Sequence, residues 1–125
     1  MEIRGESLEG VPLLVVSGEV DHSTAGELEL AVQESLRSGA QRLFVDLTSC
    51  RYIDSGGLAV FLYLVRRSQP TGWLGVIGAD RNVQRLFEIV GLAQEPGLRM
   101  FSGRDEALAL LAVPDEPPSW RDTAI

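Results

Sequence analysis

The segment running from Arg51 to Arg67, R-Y-I-D-S-G-G-L-A-V-F-L-Y-L-V-R-R, constrains the chain most. It sets Asp54, Ser55, Gly56 and Gly57 directly ahead of the longest apolar run, Leu58 to Val65. Leu58, Phe61, Leu62 and Val65 fall at helical spacing, and Val60 and Leu64 carry the apolar surface nearly all round. A helix of that kind is buried rather than laid on a surface. Ser55 is expected to be its N-cap, because a serine oxygen accepts an N–H that the first turn leaves unpaired. Gly56 and Gly57 let other groups approach the backbone closely. A hydroxyl at the mouth of a buried helix sits where free N–H groups and aligned dipoles favour an anion. A phosphate on Ser55 would suit that place.

Charge and residue usage exclude several functions. The formal charge of −7 argues against a nucleic-acid or anionic-membrane surface. Lysine is absent and all 11 basic residues are arginine, which removes a P-loop lysine, a Schiff-base lysine and a kinase-type ATP lysine. Cys50 is the only cysteine, so the chain forms no internal disulfide and no cysteine metal cluster. The start, M-E-I-R-G-E-S-L-E, has no signal-peptide core. Leu58 to Val65 is shorter than the roughly 20 apolar residues a bilayer span needs. These features predict a soluble cytoplasmic protein with no cofactor.

Taken in order, the pattern alternates strands and helices. Ile3 and its neighbours predict a weak first strand. Val11 to Ser17 predicts a second that ends at Gly18. Gly18 to Ser23 reads as a loop, and Thr24 with Glu27 fits a capping box for a helix bearing Leu28, Ala31, Val32 and Leu36. Arg42 to Leu47 is apolar on both faces apart from Asp46, which predicts a central strand. Thr48 to Ile53 connects it to Asp54. After the buried helix, Trp73 to Gly78 predicts a strand, and Asp80 can cap a helix with Val83, Leu86, Phe87 and Val90 at i, i+3, i+4 and i+7. Leu98 to Phe101 is a short strand, Ser102 with Asp105 fits a capping box, and Ala107 to Leu111 is a last helix. Residues 1–112 read as one α/β domain, and residues 113–125, with three prolines, as a disordered or loosely docked tail.

Three stretches together resemble the STAS family, specifically the bacterial anti-sigma-factor antagonists. They are Gly18-Glu19-Val20-Asp21-His22-Ser23-Thr24-Ala25, then Asp46-Leu47 running on to Ile53-Asp54-Ser55-Gly56-Gly57-Leu58, then Val83 to Leu92, V-Q-R-L-F-E-I-V-G-L. The resemblance implies a single STAS-like domain, a mixed sheet of four to five strands packed against about four helices. It implies that Ser55 is phosphorylated by a cognate anti-sigma factor with serine-kinase activity. The unphosphorylated form would bind that factor and free a sigma factor, and a serine phosphatase would reset the switch. Where the family usually has Ser or Thr after the phosphoacceptor, this chain has Gly56. No second hydroxyl therefore stands beside Ser55.

The expected docking face comprises Asp21, His22, Ser23 and Thr24, then Asp54, Ser55, Gly56 and Gly57, then Asp80, all at one end of the sheet. The chain is expected to be a monomer. Each site also has a plainer reading: Ser55 as a cap alone, Asp54 as a turn residue, Asp21 as a solvated loop carboxylate. A STAS subunit that never cycles phosphate and assembles with a transporter or signalling complex is the alternative within the family. From another class, Ser55, His22 and an aspartate would make a small serine hydrolase, although I-D-S-G-G is no nucleophile elbow. His22 is the sole histidine, and three metal ligands at sensible spacing are not visible.

Overall fold

The computed structural model describes residues 1–68 and 72–112; the expected tail, 113–125, lies outside them. Strands β1 (Glu2–Leu8) and β2 (Val11–Val20) form a hairpin. Glu9 and Gly10 close it at φ 50° and 82°, the left-handed pair that matches a two-residue turn to strand twist. Then follow α1 (Ala25–Ser35), β3 (Arg42–Asp46), β4 (Cys50–Ile53) and α2 (Ser55–Ser68). β5 (Trp73–Ile77), α3 (Arg81–Ile89), a 3₁₀ turn at Leu92–Gln94, β6 (Leu98–Phe101) and α4 (Arg104–Ala112) complete the order.

The sheet is mixed, as expected, and runs β1-β2-β3-β5-β6. β1 pairs antiparallel with β2, and the remaining ladders are parallel. It has six strands where four to five were expected. The added one is β4, which pairs with β2. Only its ends, Cys50 and Ile53, are buried, so four residues with Arg51 and Tyr52 exposed read as a connector in the sequence.

The strand expected to end at Gly18 runs on to Val20. Gly18 adopts φ 94°, donates its N–H to the Ser49 carbonyl at 3.0 Å, and marks a register shift before Glu19. Such a bulge bends a strand without ending it. β2 therefore serves two neighbours on one side: β3 at Leu13–Val15, then β4 from Gly18 to Val20.

Alternation along the strands sorts the core into two layers. Leu14, Val16, Leu43, Val45, Leu74 and Val76 share one cluster with residues of α1, α2 and α3. Leu13, Phe44 and Ile77 belong to a second, smaller one with Ala107 of α4. Helix α2 is buried as its sequence demands: Phe61 and Val65 are fully enclosed, and Phe61 lies 5.5 Å from Phe87 of α3, centroid to centroid. Asp46, at the end of β3 and 5% exposed, accepts Arg104 Nε at 3.0 Å and the Thr48 N–H at 2.9 Å. Arg104 Nη1 also reaches Glu6 at 3.1 Å, which fastens the start of α4 to β1 and β3 together. Glu106, not the expected Asp105, accepts the Ser102 N–H and hydroxyl. Because β2, β4 and β5 are parallel, the loops that follow them leave from the same end of the sheet, where α/β folds place their sites.

Candidate functional site

Three aspartates govern that end, and each works on a helix start. Asp54 rather than Ser55 is the N-cap of α2. Its Oδ1 accepts the Gly57 N–H at 3.0 Å, and its carbonyl accepts the Leu58 N–H at 2.9 Å. That is the cap-to-third-residue reach expected of an N-cap. Ser55 then becomes the first helical residue. It is exposed, and its hydroxyl makes no hydrogen bond among the described residues. The serine is left free because its neighbour does the capping.

The other oxygen of Asp54 holds the β2–α1 loop. Oδ2 accepts the His22 N–H at 3.1 Å and lies 2.7 Å from His22 Nδ1. The hydrogen bond from His22, with that from the Gly57 N–H, outweighs burial and lowers the Asp54 pKa. The hydrogen bond and charge of Asp54 raise that of His22. Asp21 organises the loop from within. Its Oδ1 accepts the Ser23 hydroxyl at 2.7 Å, the Ser23 N–H at 2.9 Å and the Thr24 N–H at 3.1 Å. The Ser23 hydroxyl leads the contacts that lower its pKa. The Thr24–Glu27 capping box is not formed. Thr24 Oγ1 turns back to accept the Asp21 N–H and to donate to the Glu19 carbonyl, and the Asp21 turn supplies the start of α1 instead.

The glycines fit this arrangement by absence. A Cβ on Gly57 would lie 2.8 Å from both Ile53 Cγ2 and Val20 Cγ1 and 2.9 Å from the Val20 carbonyl, so α2 enters against β2 and β4 only with glycine there. A Cβ on Gly56 would lie 3.0 Å from His22 Nδ1. The imidazole thus lies against the space that a side chain at position 56 would enter. His22 and Gly56 are matched across 34 positions of sequence, a relation no local pattern shows.

Asp21, His22, Ser23, Thr24, Asp54, Ser55 and Gly56 come together at one surface, with Gly57 buried beneath them. Asp80 does not join their hydrogen bonds; its Oδ1 caps α3 through the Val83 N–H at 2.8 Å. Val20 and Ile53 lie five residues along β2 beyond the row formed by Val15, Asp46 and Ile77. That stagger ends β5 short of the ends of β2 and β4. Ser55 and His22 form no hydrogen-bonded pair; the imidazole bonds Asp54 through Nδ1. Among the described residues, no three metal-capable side chains converge and no helix is long and apolar enough to cross a membrane.

The family model described as "Mlab, STAS domain" matches residues 5–101. The chain belongs to the STAS-domain family. An anti-sigma-B factor antagonist of Staphylococcus aureus (strain NCTC 8325 / PS 47) is 35% identical to this STAS domain over 78 residues, which are 62% of this chain and 72% of the relative. An anti-sigma factor antagonist from Mycobacterium paratuberculosis superposes with TM-score 0.77 at 26% identity, covering 89% of this chain and 93% of that one. A putative anti-sigma factor antagonist from Thermotoga maritima shares the fold with TM-score 0.79 at 18% identity, covering 88% and 94%.

Proposed function

We propose that this STAS domain is an anti-sigma-factor antagonist whose binding to an anti-sigma factor is switched off by phosphorylation of Ser55. The observation that carries the reading is the exposed Ser55 hydroxyl at the first position of α2, released from capping by Asp54. The name borne by the staphylococcal relatives supports the partner class. A serine kinase activity in the anti-sigma factor would add the phosphate, and a serine phosphatase would remove it.

The geometry explains how one phosphate acts. It adds about −1.5 to −2 charges at a helix N-terminus, which the fold tolerates. It also adds them beside Asp54 and Asp21 on a surface that must lose its water when a partner docks. An uncompensated charge buried in an interface costs several kcal/mol, enough to shift binding by about two orders of magnitude. A hydrolase finds no support here, because the Ser55 hydroxyl makes no hydrogen bond to His22 or to another base among the described residues. Phosphopeptide mapping after reaction with the cognate kinase and ATP tests the reading. Ser55 is expected as the acceptor; phosphate on Ser23, Thr48 or Ser49 instead would overturn it.

A further inference from the structure

A groove that the switch does not use runs beside the Ser55 surface. β4 pairs with β2 alone, and α3 lies across from its other side. Between them is a groove of about 280 Å³. Its floor is Ile53 and Val83, both buried. Tyr52 and Ile89 stand at its margins, 52% and 70% exposed. Asn82, Arg85, Leu86 and Ile89 make one stripe of α3 at i, i+3, i+4 and i+7, separate from the stripe that buries Val83 and Phe87.

Arg51 and Arg85 line the same groove. Neither is ion-paired among the described residues. An exposed isoleucine and tyrosine beside two unpaired guanidiniums make a locally basic and partly apolar surface on a chain of net charge −7. Guanidinium forks match carboxylates in geometry as well as charge. Tyrosine and arginine around an apolar pocket are the residue types that dominate interface energetics. Ile53 directly precedes Asp54, and Asn82 directly follows the Asp80 turn. A partner seated on the Ser55 surface therefore meets this groove without leaving it.

We infer that the groove docks a segment of the protein partner that presents a large apolar side chain flanked by carboxylates. This rests on the reading of the Ser55 surface as protein-binding. A polyanion such as nucleic acid or an anionic bilayer is disfavoured, because Glu19, Asp21, Asp54 and Asp80 crowd the neighbouring surface. The groove supplies an anchor that phosphate on Ser55 does not touch.

The test is an amide-shift titration of the full ¹⁵N-labelled chain with three synthetic peptides of equal length. One carries two leucines flanked by glutamates, one replaces the glutamates by lysines, and one replaces the leucines by serines. The glutamate–leucine peptide is expected to move the amides of Tyr52, Arg85, Leu86 and Ile89, and the other two to bind at least about tenfold more weakly. Arg51→Glu combined with Arg85→Glu should reverse the preference toward the lysine peptide, and Ile89→Ser should weaken both; as all three residues are exposed, these variants should fold. Equal binding of the three peptides, shifts confined to another surface, or no effect of the arginine reversal would each overturn the inference. The titration uses neither kinase nor phosphate. A failed groove thus leaves the Ser55 reading standing, and a failed phosphate switch leaves the peptide titration as it is.

Discussion

The mouth of α2 and the start of α4 are both fastened by an aspartate, Asp54 at one and Asp46 at the other. Asp54 meets His22, whose side chain is 76% exposed. The Asp46 side chain is 7% exposed and meets Arg104, which reaches on to Glu6. Burial alone would raise the Asp46 carboxyl; the hydrogen bonds from Thr48 and Arg104 outweigh it and leave the pKa lowered. A buried carboxylate must find its whole set of partners inside the molecule, so Asp46 fixes the fold, and only its partners Arg104 and Glu6 reach solvent. The exposed pair at Asp54 completes a local turn and a helix cap, and leaves His22 and Ser55 open to a second molecule. The two fastenings use the same chemistry, and exposure decides which of them can be read by a partner.

That contrast is tested most severely at Ser55. Ser55→Asp should weaken anti-sigma-factor binding by about 100-fold or more, near 2.7 kcal/mol. Its unfolding free energy should change little, since a carboxylate in the first turn is favoured by the helix dipole. Ser55→Ala should keep binding and stay within about 0.5 kcal/mol of the parent, because Asp54, not Ser55, is the cap. Calorimetric titration and thermal melting of both variants measure this, and tight binding by Ser55→Asp would mean the exposed site is not the switch. Asp46→Ala should do the reverse. It leaves Arg104 and the Thr48 N–H without their acceptor and should cost about 1–3 kcal/mol in urea unfolding while partner affinity holds. A cost within error of zero would erase the distinction between the two sites.

Asp54→Ala should show both effects in reduced form. Losing the cap costs about 1 kcal/mol, and the freed His22 loop should weaken partner binding; Asp54→Asn should recover the stability more than the binding. The smallest expected effect is in pH. The His22 pKa is raised, so its contribution is complete below the ordinary imidazole range and is lost as pH rises through the raised value. The Asp54 pKa is lowered, so its contribution is complete above the ordinary carboxylate range and is lost as pH falls through the lowered value. The clip is therefore strongest between the two ranges. Melting temperatures at about pH 6 and about pH 8 should differ less in His22→Ala than in the parent, and an unchanged difference would show that the pair is not a fastener.

Long periodic segments were legible from sequence, and short or distant relations were not. The buried α2 follows from its all-round apolar run, and α3 from Val83, Leu86 and Phe87 with Asp80 before them, because periodicity reports directly on burial. The cap of α2 is placed one residue late by sequence, since Asp and Ser are both good caps and only the backbone path decides which reaches the third N–H. Thr24 fails as a cap for a related reason: Glu19 and Asp21 offer its hydroxyl closer partners. β4 is missed because four residues with two exposed give no alternation to read. Asp46 and Arg104 are 58 positions apart, and His22 and Gly56 are 34, so neither pairing leaves a mark at any local window.

The handover along β2 has a consequence for how the molecule breathes. β3 is hydrogen-bonded on both sides, to β2 and to β5, while β4 has one short ladder, from Gly18 to Val20, beginning at a bulge. Amide protons of Arg51 and Tyr52 should exchange with solvent through a local opening, far sooner than those of Phe44 and Val45, whose exchange waits on rupture of the whole sheet. Ser55 stands between that weak ladder and the buried body of α2. An enzyme that has to draw the serine into its own cleft would work against a few hydrogen bonds of β4, and the rest of the domain would hold its shape while it did so.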